Sequence, residues 1–205
     1  MREEQWLSET DDPYEMLNFL GKRVSSRKAK LFACACFRLG SSPLKMWEQK
    51  IVEVVERYAD GLASEQERQH AEEVSTGKSG IAWVTMTGDY WTAVEAARAA
   101  GEWRDEPLQC ALVREFFGNP FRPLPPRKGK RQWRETLRAW LTWNEGVIPM
   151  LAQAIYEERT FQRLSILADA LEDAGCDDAA ILSHCRGPGE HVRGCWVVDL
   201  LLGKS

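Results

Sequence analysis

Cysteine and histidine crowd one end of the chain. Between Cys176 and Asp199 stand Cys176, His184, Cys185, His191, Cys195 and Asp199, so this segment holds two of the three histidines and three of the six cysteines. Imidazole nitrogen and thiolate sulfur are donors that zinc prefers. Cys185, His191 and Cys195, with either Cys176 or His184, make a candidate zinc set in which Cys-x5-His-x3-Cys offers ligands from a turn and one helix face. Two features weigh against it: no Cys-x-x-Cys knuckle occurs, and structural zinc serves domains poorer in core than this one. A Cys195–His191–Asp199 thiol nucleophile is a further reading, but it asks three residues of one helix to converge on a single reacting atom, with no identifiable oxyanion donor. The plainer reading is structural. On a helix His191, Cys195 and Asp199 recur at i, i+4 and i+8, a polar stripe on an otherwise apolar element. Asp199 is then expected to be buried and paired, with His191, Cys195, Arg186 and Arg193 nearest in sequence. The expectation is no cofactor, with zinc as the alternative.

Charge offers a second chemistry. The chain carries 27 basic and 31 acidic residues, too mild a balance to imply a nucleic-acid, membrane or acidic partner for the whole. Yet Arg122, Arg127, Lys128, Lys130, Arg131, Arg134 and Arg138 are opposed within their window only by Glu135, so the window is +6 and the remainder −10. Arginine and lysine contact phosphates, and Trp133, Trp140 and Trp143 could stack on unpaired bases. The spacing instead puts Trp133 and Trp140 on one stripe with Leu137 and Leu141, which reads as core and leaves the charges on a solvated face. Lys22, Arg23, Arg27, Lys28 and Lys30 form a smaller candidate anion-facing cluster. Thr76-Gly77-Lys78-Ser79 is not a phosphate loop: that motif needs glycine where this chain has Glu72, and a polar helix rather than a strand precedes it. A flexible surface loop is expected there.

The elements that must position these groups are helices. Asp12-Pro13 caps and opens one that runs to Leu20, and Ser25 or Ser26 caps the next, which stops near Gly40. A third opens at Ser42-Pro43 and carries Leu44, Trp47, Ile51, Val54, Val55, Tyr58 and Leu62 as one core stripe. Ser64-Glu65-Gln66-Glu67 is a capping box for a polar surface helix. The segment 81–86 reads as loop or helix, because a short strand there has no partner. Further helices are expected over 90–100, 107–117, 130–142, 146–158, 161–174, 178–185 and 191–202. Four prolines between Gly118 and Gly129 forbid helix and favour an extended path. The predicted architecture is all-α, an irregular bundle of about nine to eleven helices. Residues 1–118 and 130–205 form two closely packed lobes in this reading, joined by a proline-rich basic connector over 119–129.

With 44% apolar residues and 15 glycines the composition is that of a globule. No apolar run approaches the ~20 residues of a bilayer span, and the acidic N-terminus lacks a secretory leader's pattern. A cytoplasmic protein with reduced thiols is expected, Cys34, Cys36 and Cys110 serving as packing residues.

Several blocks carry a likeness: Arg27-Lys28-Ala29-Lys30-Leu31-Phe32-Ala33-Cys34-Ala35-Cys36, Glu56-Arg57-Tyr58-Ala59-Asp60-Gly61, Phe117-Gly118-Asn119-Pro120-Phe121-Arg122-Pro123, and the C-terminal run from Leu167 through Cys176 and His184-Cys185-Arg186 to Leu200. In these the chain resembles a paralogous family of uncharacterised bacterial proteins. The resemblance implies a bacterial origin and a shared fold, but no reaction. Phe37 departs from it, standing where relatives are expected to carry another cysteine, and the stretch Pro125–Arg134 is longer than in relatives. The function expected from the sequence is a non-enzymatic helical interaction module, a scaffold or adaptor whose partner is another protein. The alternative is nucleic-acid or polyanion binding through Arg122 to Arg138, and the third is a zinc-stabilised module or thiol enzyme at the C-terminus.

Overall fold

The computed structural model describes residues 1–8, 12–40, 43–76, 95, 106–124, 126 and 129–204. Outside these lie Gly77, Lys78 and Ser79, the segment 81–86, the helix expected over 90–100 apart from Glu95, and Arg127 and Lys128 of the basic window. Among the described residues the fold is all-α, with no strand. No helix among them is long and apolar enough to cross a membrane. The chain divides into two compact units, Met1–Phe116 and Phe117–Ser205, so the proline-rich segment expected as a connector belongs to the second.

The first unit contains α1 (Glu3–Leu7), α2 (Pro13–Leu20), α3 (Ser26–Arg38), α4 (Met46–Ala59), α5 (Glu65–Ser75) and α6 (Glu106–Phe117) up to its last residue. Local chemistry sets their starts. The Asp12 carboxylate accepts the Tyr14 N–H at 2.7 Å and the Ser25 hydroxyl accepts the Lys28 N–H at 3.2 Å, which satisfies backbone donors that have no partner inside a helix. At α5 the Ser64 N–H donates to Glu67 at 2.7 Å while Glu67 N–H donates to the Ser64 hydroxyl at 3.2 Å. The third helix starts at Met46, later than Ser42-Pro43 suggests, because Glu48 accepts the Lys45 N–H at 2.7 Å and fixes the first turn there. Leu62 then lies beyond α4 and is exposed, while Ile51, Val52 and Val55 pack with Ala33, Cys34 and Ala71 into a core shared by α3, α4 and α5. On the same side of α4 the Glu56 carboxylate is buried and bridged by Arg38 with two bonds of 2.9 Å.

In the small basic cluster Lys22 and Arg23 are exposed, whereas Arg27, Lys28 and Lys30 are used within the fold. Lys28 is buried and donates to the Phe116 carbonyl at 2.9 Å, Lys30 donates to the Ser26 hydroxyl at 3.0 Å, and Arg27 pairs with Asp60 at 3.0 Å. Helix period explains it: these cations fall on turns whose apolar neighbours Ala29, Leu31 and Phe32 are drawn into the core.

The second unit contains α7 (Lys130–Thr142), α8 (Val147–Glu158), α9 (Leu164–Asp173), α10 (Ala179–Arg186) and α11 (Trp196–Leu202). Helix α8 packs against α7, α9 and α11, and α9 against α10. Their core joins Trp140, Ile148, Ile155, Leu164, Leu167, Leu171, Ile181, Val197, Val198 and Leu201 with Cys176, Cys185 and Cys195. The helix expected over 191–202 is shorter. Gly194 sits at φ +97°, a conformation no α-helical residue adopts, so the helix cannot begin before the residue that follows it. His191, Cys195 and Asp199 are therefore not three steps of one helical stripe: His191 is in the preceding loop, Cys195 is the N-cap and only Asp199 is within α11.

Candidate functional site

Helix α10 is set by Asp178, whose carboxylate accepts the N–H groups of Ala180 and Ile181 at 2.9 and 3.2 Å. With its start fixed, Ile181 and Cys185 face the core, and His184, about 100° round the axis from Cys185, is half-buried at the edge. The C-terminal turn is clamped to α9 by Arg186, which donates to Asp169 at 2.7 Å and Glu172 at 2.6 Å. The chain then returns through Gly187–Gly194. Arg193 ties this loop to α8, donating to the Tyr156 carbonyl at 3.3 Å with its guanidinium over that ring at 5.1 Å. A turn closed by the Cys195 N–H on the Val192 carbonyl at 3.0 Å delivers Cys195 to the head of α11.

There the side chains converge. His184 Nε2 lies 3.2 Å from Cys195 Sγ, and the His184 and His191 rings meet edge to face with centroids 4.9 Å apart. The donor atoms of His184, His191 and Cys195 all lie within 4.8 Å of one another. Trp196 covers His184, its ring 5.1 Å from the imidazole. Behind that indole sits Gly118 at φ +58°, where a Cβ would come within 3.2 Å of the Trp196 ring. Neither Trp196 nor Gly118 carries a sequence signal for this role, since a packing partner about eighty residues away is invisible to local pattern.

Three of the five candidate metal ligands are thus brought together in this unit, and two are not. Cys176 and Cys185 are buried within the apolar core, where desolvation pushes the Cys176 thiol pKa upward. Cys185, one residue's rotation from His184, is not among the donors that lie within 4.8 Å of one another. Cys195, His191 and Asp199 do not share one helix, although the His191 and Cys195 donors lie within 4.8 Å of each other. His184 is the imidazole bonded to the thiol, and Cys195 is fully buried. Asp199 is only 2% exposed, as expected for a carboxylate interrupting an apolar run. It lies in the first turn of α11, where the helix dipole favours negative charge. Arg186 spends its guanidinium on Asp169 and Glu172 instead. In the first unit Cys34 and Cys36 are buried packing residues, and burial pushes the Cys36 thiol pKa upward.

The basic window resolves into a helix face. Lys130, Arg131, Arg134 and Arg138 of α7 are all exposed and fall within an arc of about 100°. Arg131 meets Glu135 at 3.1 Å with both side chains in solvent, a pair that contributes little. Among the described residues Lys130, Arg134 and Arg138 make no ion pair. Arg122 is exposed in the turn after α6. The tryptophans are drawn toward the core, Trp133 and Trp143 only half-buried. Trp133 and Trp140 form an edge-to-face pair at 5.5 Å, Trp140 is buried, and Trp133 and Trp143 pack against the core.

Comparison of the chain with family models, with curated proteins and with solved structures gives no match.

Proposed function

We propose that this chain is a binding module rather than a catalyst, that it binds through the basic face of α7, and that its partner is a phosphate-bearing polymer, duplex nucleic acid. One observation carries the reading: four cations presented in one arc, all exposed, with almost no internal use. They span eight helical steps, about 12 Å along the helix, which matches roughly three phosphates of one DNA strand at ~3.4 Å rise. The packed tryptophans decide the kind of contact. With no aromatic platform among the described residues of that face, binding runs through backbone phosphates and takes no account of base sequence. A phosphate partner is preferred to the protein partner because the exposed apolar side chains, among them Leu7, Met46, Met150 and Ile166, are scattered over α1, α4, α8 and α9, as on any protein surface. Six free thiols fit a cytoplasmic setting, where they stay reduced.

Fluorescence anisotropy with a random-sequence duplex tests this. Affinity should fall with salt at a log–log slope of about −3 to −4, since each phosphate neutralised contributes about 0.9. Replacing Lys130, Arg131, Arg134 and Arg138 together by alanine should abolish binding and leave the circular dichroism spectrum unchanged. No binding at low salt, or equal binding by the quadruple variant, overturns the reading.

A further inference from the structure

His184, His191 and Cys195 come from three different pieces of backbone: the last turn of α10, the return loop and the N-cap of α11. Packing alone does not require two imidazoles and a thiol to meet at the edge of an apolar core, where isoleucine or leucine would bury more area without polar atoms to satisfy. We propose that these three side chains bind a divalent transition metal of zinc's class, which fastens the return loop and the head of α11 to α10.

The donor set selects the ion. Two imidazole nitrogens and one thiolate suit a borderline-soft cation, and exclude magnesium and calcium, which take oxygen. The geometry is close to what the ion needs. With zinc–nitrogen and zinc–sulfur bonds of about 2.0–2.1 and 2.3 Å, a tetrahedral site places its nitrogen and sulfur donors roughly 3.6 Å apart. The observed His184–Cys195 separation of 3.2 Å is near that edge, and all three donors lie within 4.8 Å of one another, so at most about an ångström is left to be closed by side-chain rotation. Three protein ligands leave one coordination position to water or another donor.

Binding has a defined proton balance. The Cys195 thiol proton is released to solvent as sulfur joins the metal, and both histidines coordinate as neutral imidazoles, so affinity rises with pH. The surroundings hold the ligands in place. Trp196 packs on the His184 ring, Arg186 clamps the end of α10 to α9, and Arg193 fastens the loop that carries His191 to Tyr156. Cross-linking α10, loop and α11 in this way stabilises the folded unit over the unfolded chain, which has no preformed site.

The full-length chain, carrying no histidine tag and purified without chelator, is expected to retain about one zinc per chain by elemental analysis. After chelation, titration with cobalt(II) should produce a sulfur-to-cobalt charge-transfer band and tetrahedral visible bands that saturate at one equivalent, with a rise in Tm. Cys195→Ser should remove the charge-transfer band. Because Cys195 is packed in the core, His191→Gln in the loop serves as a second variant that need not disturb the fold. It should weaken cobalt binding by on the order of tenfold to a hundredfold or more, since even outer partners of a ligand are worth that much. Cys176→Ser and Cys185→Ser should keep the band. A folded protein that binds neither zinc nor cobalt stoichiometrically overturns the proposal. So does a charge-transfer band that survives Cys195→Ser, or cobalt affinity unmoved in His191→Gln. These readouts involve no nucleic acid, so the metal site and the basic face of α7 stand or fall separately.

Discussion

Arg68 shows how much one side chain can organise. It donates to Glu65 on one side and to Glu72 on the other, at 2.6 and 2.9 Å, with its guanidinium over the Tyr58 ring at 5.8 Å. The hydrogen bond from Arg68, followed by one from Tyr58, holds the Glu65 carboxyl at a pKa of about 2. Unfolded, it titrates near the ordinary carboxylate value of about 4.3. The folded state therefore draws its full benefit from ionised Glu65 above that value, and loses it as the pH falls from about 4.3 through about 2. Arg68→Gln should lower Tm at neutral pH and make the acid-side decline shallower, a difference that melting curves between pH 7 and pH 2 would detect. Parallel curves for the two proteins would contradict it. The pairing of Arg68 with Glu65 and Glu72 follows i, i+3 and i, i+4 spacing and was legible in the sequence. The meeting of His184 with Cys195 was not, because no spacing rule relates a residue of α10 to one that heads α11.

At the scale of elements, most helix starts were readable, and those of α4 and α11 were not. Asp12, Ser25, Ser64 and Asp178 cap helices where their side chains can reach the next backbone donors, a matter of three residues at most. The start of α11 escaped pattern reading because the i, i+4, i+8 spacing of His191, Cys195 and Asp199 suits a helix, while the left-handed backbone at Gly194 is invisible to periodicity. Between α7 and α8 three consecutive residues, Asn144, Glu145 and Gly146, are left-handed, another turn that composition does not announce. Gly118 gives the sharpest element-scale prediction. An alanine there must adopt φ near +58° and press a methyl group to 3.2 Å from the Trp196 ring. The backbone share alone costs about 1 kcal/mol, and displacing the indole adds to it. Gly118→Ala should destabilise the protein by about 1–2 kcal/mol in urea denaturation. An unchanged midpoint would mean that Trp196 is not held as described.

The whole molecule divides at residues 116 and 117, and the described core residues of the second unit all belong to that unit. Residues 117–205 expressed alone should therefore give a helical circular dichroism spectrum and a cooperative thermal transition. A featureless melt would show that this core does not suffice. The all-α class, the α7 and α8 spans to within a residue, and the segregation of Trp133 and Trp140 from the charges beside them follow from sequence alone. Those properties rest on 3.6-residue periodicity, capping chemistry and proline's missing N–H, all interactions within one or two turns of chain. Tertiary structure alone decided which polar groups meet. It sent Cys176 and Cys185 into the core and turned Lys28 and Lys30 inward. It also gathered His184, His191 and Cys195 from three separate segments. That selection depends on how α10 and α11 pack, on Arg186 and Arg193 reaching neighbouring helices, and on a glycine whose backbone stops a helix one residue before the cysteine it delivers.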